Sequence, residues 1–147
     1  LLSKAYGTGA ALIRLVPAGT DKFTVEKVWE NNRVLKTKLA NVAVYQGHAY
    51  GLSDGILECV DLSNGKSKWK RGRYDHGQML RVGDCLLLLA ESGELLLLDA
   101  TPEAHRELGK IELLNGKTWN NLCLFGSIVL ARNGEEMVAV ELKVRAP

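Results

Sequence analysis

Apolar residues in this chain gather in short runs, each ended within about six residues by glycine or an acidic side chain, a length that suits strands and falls short of an ordinary helix. Leu86-Leu87-Leu88-Leu89 and Leu95-Leu96-Leu97-Leu98 are the clearest. Leucine favours helices, so composition leaves these runs ambiguous, and the close spacing of turn residues assigns them to strands. Runs without polar alternation predict sheets covered on both faces.

Laid against itself, the chain repeats at about 40 residues, the period of blades or solenoid turns. Residues 48–61, 86–99 and 127–141 superimpose as strand, glycine turn, strand and acidic end. The turns are Asp54-Gly55, Ser92-Gly93 and Asn133-Gly134, pairs suited to the positive φ angles of a tight hairpin. Thr8-Gly9 followed by Ala10 to Val16 is a fainter copy. From Gly9 to Gly55, Gly93 and Gly134 the steps are 46, 38 and 41 residues, uneven as loops of variable length make them.

Each unit continues into a further strand. Asp61 leads through Leu62-Ser63-Asn64-Gly65 to Lys66-Ser67-Lys68-Trp69, Asp99 leads to Gly109-Lys110-Ile111-Glu112-Leu113, and Phe23 to Trp29 is the equivalent near the start. With preceding strands at Ala40 to Tyr45, Gln78 to Val82 and Trp119 to Phe125, the unit has four antiparallel strands. Such units at this period are propeller blades. The expectation is an all-β chain of about three to four blades, approximately 1–38, 39–76, 77–115 and 116–147. Trp69 fills the wedge between neighbouring blades, and Leu113 is its expected counterpart in the next.

The string Cys59-Val60-Asp61-Leu62-Ser63-Asn64-Gly65-Lys66-Ser67-Lys68-Trp69 resembles the repeat signature of the PQQ-like, or quinoprotein alcohol dehydrogenase-like, β-propeller family, with Asn64 where that signature has Thr. The resemblance covers about 100 residues; Asp99, Gly109 and Leu113 form a stretched copy without the Trp, and Trp29 lacks the preceding Asp and Gly. It implies a partial propeller, the C-terminal portion of a seven- or eight-bladed ring with further blades preceding Leu1 and a last blade short of its fourth strand. It also implies apolar blade faces and strand edges left open.

The quinoprotein dehydrogenases of that family hold pyrroloquinoline quinone with a vicinal disulfide and a Ca²⁺ bound by Glu, Asn and Asp. This chain has no Cys-Cys pair. No catalytic, cofactor-binding or metal site is assigned. Asp61 and Asp99 end the repeated hairpin and are expected to accept turn amides. His48, His76 and His105 lack metal-ligand spacing. Gly116-Lys117-Thr118 resembles the end of a P-loop, but Ile111 stands where the earlier glycine belongs. Arg71-Gly72-Arg73-Tyr74-Asp75-His76 is the densest polar loop and reads as a connection between blades. Trp119-Asn120-Asn121 opens an innermost strand, where an exposed indole and two amides would suit a sugar or peptide, but the favoured reading puts Trp119 in the core.

Nineteen basic and 17 acidic residues give a net charge of +2 with the signs interspersed, so no basic stripe marks a nucleic-acid or membrane surface. No apolar run approaches the roughly 18 residues of a spanning helix. Cys59, Cys85 and Cys123 stand far apart among apolar neighbours and are expected as buried free thiols without a cofactor role. Repeats without a catalytic set point to a non-catalytic scaffold that binds a protein partner, similar in kind to the outer-membrane assembly lipoproteins sharing this repeat. The alternatives are the C-terminal part of a PQQ-dependent dehydrogenase whose cofactor residues lie in preceding blades, or a sensory, ligand-binding propeller fused to another domain. The resemblance suggests the periplasm or cell envelope.

Overall fold

A computed structural model describes residues 1–143. They form fourteen strands and no helix, so no helix is present that is long and apolar enough to cross a membrane. All strand pairing is antiparallel between chain neighbours, in four consecutive sheets. The first is β1 (Leu2–Lys4), β2 (Gly9–Pro17) and β3 (Phe23–Asn31). The second is β4 (Ala43–Tyr45), β5 (His48–Ser53), β6 (Ile56–Asp61) and β7 (Lys66–Arg73). The third is β8 (Gln78–Val82), β9 (Cys85–Leu89), β10 (Glu94–Asp99) and β11 (Glu107–Glu112). The last is β12 (Cys123–Phe125), β13 (Ile128–Arg132) and β14 (Met137–Glu141), and it has three strands among the described residues.

The leucine runs lie in the third sheet and are covered on both faces, as their lack of alternation requires. Leu86, Leu88, Leu96 and Leu98 point one way, into a core shared with Tyr50, Leu52, Leu57 and Cys59 of the second sheet. Leu87, Leu89 and Leu95 point the other way, onto Val129 and Ala131 of the last. A third core joins Ala10 and Trp29 of the first sheet to Ala49 and Val60 of the second. Three cores between four successive sheets make a radial stack of blades.

The end sheets each have one open face. On the first it carries Leu2, Leu15, Phe23 and Val25, and on the last Phe125, Ile128, Leu130 and Met137, all exposed. Cys123 lies on that second open face, because no sheet covers it among the described residues; only Cys59 is the buried thiol expected, and Cys85 is half-buried.

Two predicted strands are shorter than expected. Ala40 to Val42 and Trp119 to Leu122 are irregular backbone carrying the chain from one blade into the next, and only the last three residues of each segment pair.

The three hairpins turn where the glycine pairs stand, by different means. Asp54 and Gly55, with φ of 50° and 81°, form a two-residue turn with both angles positive. At Ser92-Gly93 only Gly93 has positive φ, and a side chain there would meet the Leu114 carbonyl at 2.1 Å, where the chain leaves the sheet. Neither Asn133 nor Gly134 has positive φ. The Asn133 side chain closes that turn by accepting from the Glu135 and Glu136 amides at 2.9 and 3.0 Å.

Unequal turns shift the repeats. Leu62, Ala100 and Leu142 donate their amides to the carbonyls of Gly47, Asp84 and Ser127. His48, Cys85 and Ile128 are therefore the equivalent residues, whereas alignment by sequence superimposes His48 on Leu86 and Ser127. A slip of one residue exchanges the two faces of a strand.

Candidate functional site

The outermost strand of each of the first three sheets bulges at the same place. Register shifts fall at Leu12/Ile13, Cys59/Val60 and Leu97/Leu98, and the residues opposite Leu12, Cys59 and Leu97 are Trp29, Trp69 and Gly109. Trp29 donates its indole N–H to the Leu62 carbonyl of the next sheet at 2.7 Å, and Trp69 donates to Thr101 of the next at 3.0 Å. Both rings are half-buried, so Trp69 is less enclosed than expected, but both rivet one blade to its successor. Gly109, not Leu113, holds the corresponding place in the third sheet. Leu97 beside it is 37% exposed in consequence, while Leu113 packs partly into the core between the third and last sheets.

Around Trp69 the seam between the second and third sheets collects the richest side-chain chemistry in the described residues. The Tyr50 ring lies 6.1 Å from that of Trp69, and His105 meets the indole edge-on at 5.8 Å. The buried Tyr74 stacks on His105, donates its hydroxyl to Glu107 Oε1 at 2.7 Å and lies 2.8 Å from His105 Nε2. Burial first, and then Glu107, raises the Tyr74 pKa well above that of an ordinary tyrosine. Tyr50 is fully buried, and its hydroxyl has no hydrogen-bond partner. Burial pushes the Cys59 thiol beside it up to about 11.

A cleft of about 350 Å³ opens on the side of this seam marked by the β4–β5 and β8–β9 turns. Tyr45, His48, Tyr50, Asp84, Asp99 and Glu103 are among its lining residues.

The histidines do not converge. His48 Nδ1 lies 2.9 Å from the Gln46 carbonyl, His105 belongs to the Tyr74 network, and His76 gives its backbone amide to Glu91. Asp61 accepts both the amide and the hydroxyl of Ser63 and the amide group of Asn64, as expected for a turn-holding carboxylate, and Ser63 lowers its pKa. Asp99 differs, its carboxylate facing Arg106 at 3.6 Å. Thr118 of Gly116-Lys117-Thr118 is buried, with its amide on Glu91 and its hydroxyl on Gly116. Of the residues read as a polar loop, Arg71 to Arg73 end β7 and only Tyr74 to His76 form the connection, where Asp75 pairs with Arg73 at 3.3 Å. Trp119 is 45% exposed rather than core, with the Lys117 ammonium 4.4 Å from its ring centroid. Among the described residues no group of three or more His, Cys, Asp or Glu is placed to hold a metal.

Sequence reasoning passed over Glu58 and Gln78, both buried. Glu58 accepts the Leu35 amide at 2.8 Å and so holds the junction between the first two sheets, where Leu35 has a φ of 44°. Gln78 donates to the carbonyls of Leu39 and Trp119, tying together the chain segments that enter three successive blades. Polar residues inside strand segments were the available signal. Their partners are 23 to 41 residues away and invisible in a local pattern.

No protein-family profile matches the chain, and no curated protein matches it in sequence. Among solved structures, BamB from Moraxella catarrhalis is similar over 78% of this chain, with a TM-score of 0.58 and 15% identity. The fold is a run of propeller blades. The match takes in 33% of the BamB chain, so this protein spans about a third of that length, and at such identity the likeness concerns fold alone. The computationally designed Ika4 and Ika8 proteins overlap 71% and 96% of the chain, each at a TM-score of 0.41 and 9% identity, a level from which nothing further follows.

Proposed function

We propose that these blades form one propeller domain, continued by further blades, that serves as a protein-interaction scaffold in the cell envelope without catalysis of its own. The observation that carries the reading is the employment of the polar side chains: Asp61, Tyr74, His105, Glu58 and Gln78 hold turns, seams and blade junctions. Chemistry needs such groups free to meet a substrate, whereas a scaffold needs them to fix the loops it presents. Resemblance of the Cys59–Trp69 string to the PQQ-like repeat supports both the propeller assignment and the envelope location.

Photo-crosslinking tests it. A benzophenone amino acid at Gln46, on the cleft face, and another at Ser92, on the opposite turn, should give position-dependent crosslinks to a defined protein that also binds the purified chain at about 10 µM or tighter. Equal, diffuse labelling from both positions, or micromolar binding of pyrroloquinoline quinone with Ca²⁺ by calorimetry, would overturn the scaffold reading.

A further inference from the structure

The cleft between the second and third sheets combines negative charge with a polar group that lacks a partner. Asp84 and Glu103 line it, and neither forms an ion pair among the described residues; Asp99 also lines it and shares its charge with Arg106. Tyr50 forms part of the wall, fully buried, with its hydroxyl unsatisfied. Burial first, then the Cys59 thiol, and after them Glu103 and Asp99 raise the Tyr50 pKa. A buried hydroxyl without a partner costs about 1–3 kcal/mol, and this one belongs to a ring that lines the same cleft as the exposed Asp84 and Glu103.

We propose that this cleft receives the ammonium of a lysine side chain presented by a protein partner, with Asp84 and Glu103 supplying charge and the Tyr50 hydroxyl accepting a hydrogen bond. The assignment rests on the scaffold reading and names the chemistry of its partner at one site. Lysine fits better than arginine on two grounds. An ammonium is compact and has three donors, matching two carboxylates and one phenol, whereas a guanidinium requires a planar bidentate acceptor. The Tyr45 ring, the aromatic surface on which a guanidinium would stack, already has the Arg81 guanidinium 5.2 Å from its centroid. At about 350 Å³ the cleft is at the small end of ligand sites, sized for one side chain.

The whole chain is titrated at low salt with Nα-acetyl-lysine N-methylamide, following the backbone amide shifts of Asp84, Thr101 and Glu103. Saturable binding with a Kd on the order of 1–10 mM is expected, and none with the norleucine analogue, which keeps the stem and lacks the charge. Asp84→Asn and Glu103→Gln should each weaken binding about five-fold. Tyr50→Phe should weaken it too while leaving the chain at least as stable, since it deletes an unsatisfied hydroxyl. Equal binding of norleucine, insensitivity to the two carboxamide variants, tighter binding of the arginine analogue, or preference for free cadaverine over the peptide-like lysine would overturn the assignment. If the lysine analogue fails while crosslinks from Gln46 persist, the cleft assignment is wrong and the scaffold reading stands. If the analogue binds and no protein is captured, the scaffold reading fails and takes the partner's lysine with it.

Discussion

Replacing Trp69 by alanine removes the rivet between the second and third sheets. A tryptophan side chain can bury about 150–250 Å², and a half-buried one near the lower figure represents roughly 4 kcal/mol at 25 cal/mol/Å². Residual burial in the unfolded chain reduces that by about a quarter, to roughly 3 kcal/mol. Loss of the 3.0 Å bond to the Thr101 carbonyl adds about 1 kcal/mol at most, because water can reach that half-buried loop. The expected cost of Trp69→Ala is therefore about 3–4 kcal/mol, measured as a shift in urea midpoint at constant slope. Trp69→Phe keeps much of the contact with Tyr50 and His105 and should cost about 1–2 kcal/mol. Trp29→Ala, at the equivalent place one blade earlier, should behave like Trp69→Ala. A loss below about 1 kcal/mol for either alanine variant would show that the seams close without the indoles and refute the rivet argument.

Gly109 stands where the third sheet lacks that tryptophan, and a Cβ built there meets nothing within 4 Å; Gly109→Trp should cover Leu97 and raise stability by about 0.5–1.5 kcal/mol in the same urea assay. Glu58→Leu leaves the Leu35 amide without its acceptor and should cost about 2–3 kcal/mol by thermal unfolding, whereas Glu58→Gln keeps an oxygen there and should cost less. Iodoacetamide followed by mass spectrometry should modify the exposed Cys123 first, the half-buried Cys85 later and Cys59 only on unfolding. Asp61 and Asp54 have lowered pKa values, caused first by the Ser63 hydroxyl and by Lys36 respectively, so their contribution is present above the ordinary carboxylate range and lost as pH falls through the folded values. Cys59, raised to about 11 by burial, acts oppositely: its contribution is complete below the ordinary thiol pKa of about 8.5 and is lost as pH rises to about 11. Urea titrations across pH should therefore show stability declining at both acid and alkaline ends, with the alkaline decline reduced in Cys59→Ala.

The sequence by itself determined the strands, the repeat and the stacking. Apolar runs such as Leu86 to Leu89, bounded by turn residues, can bury both faces only between two other sheets, and that requirement is local enough to read directly. Asp61 was legible for the same reason, since its partners Ser63 and Asn64 are next in the chain. Which residue faces which core was settled by the fold. The turns at Asp54-Gly55 and Ala90 to Gly93 differ in length, and one residue of slip moves a side chain to the opposite face, so Tyr50 and Leu88 look equivalent in sequence yet belong to opposite sides of one core. The tryptophan position likewise became visible only through the bulges, which pair Gly109 with Leu97 and leave Leu113 beyond the strand. The cleft depends on packing still further: Tyr45 and Tyr50 come from one blade and Asp84, Asp99 and Glu103 from the next, and the core those two blades share, with Trp69 against His105 at its edge, brings the two turns together.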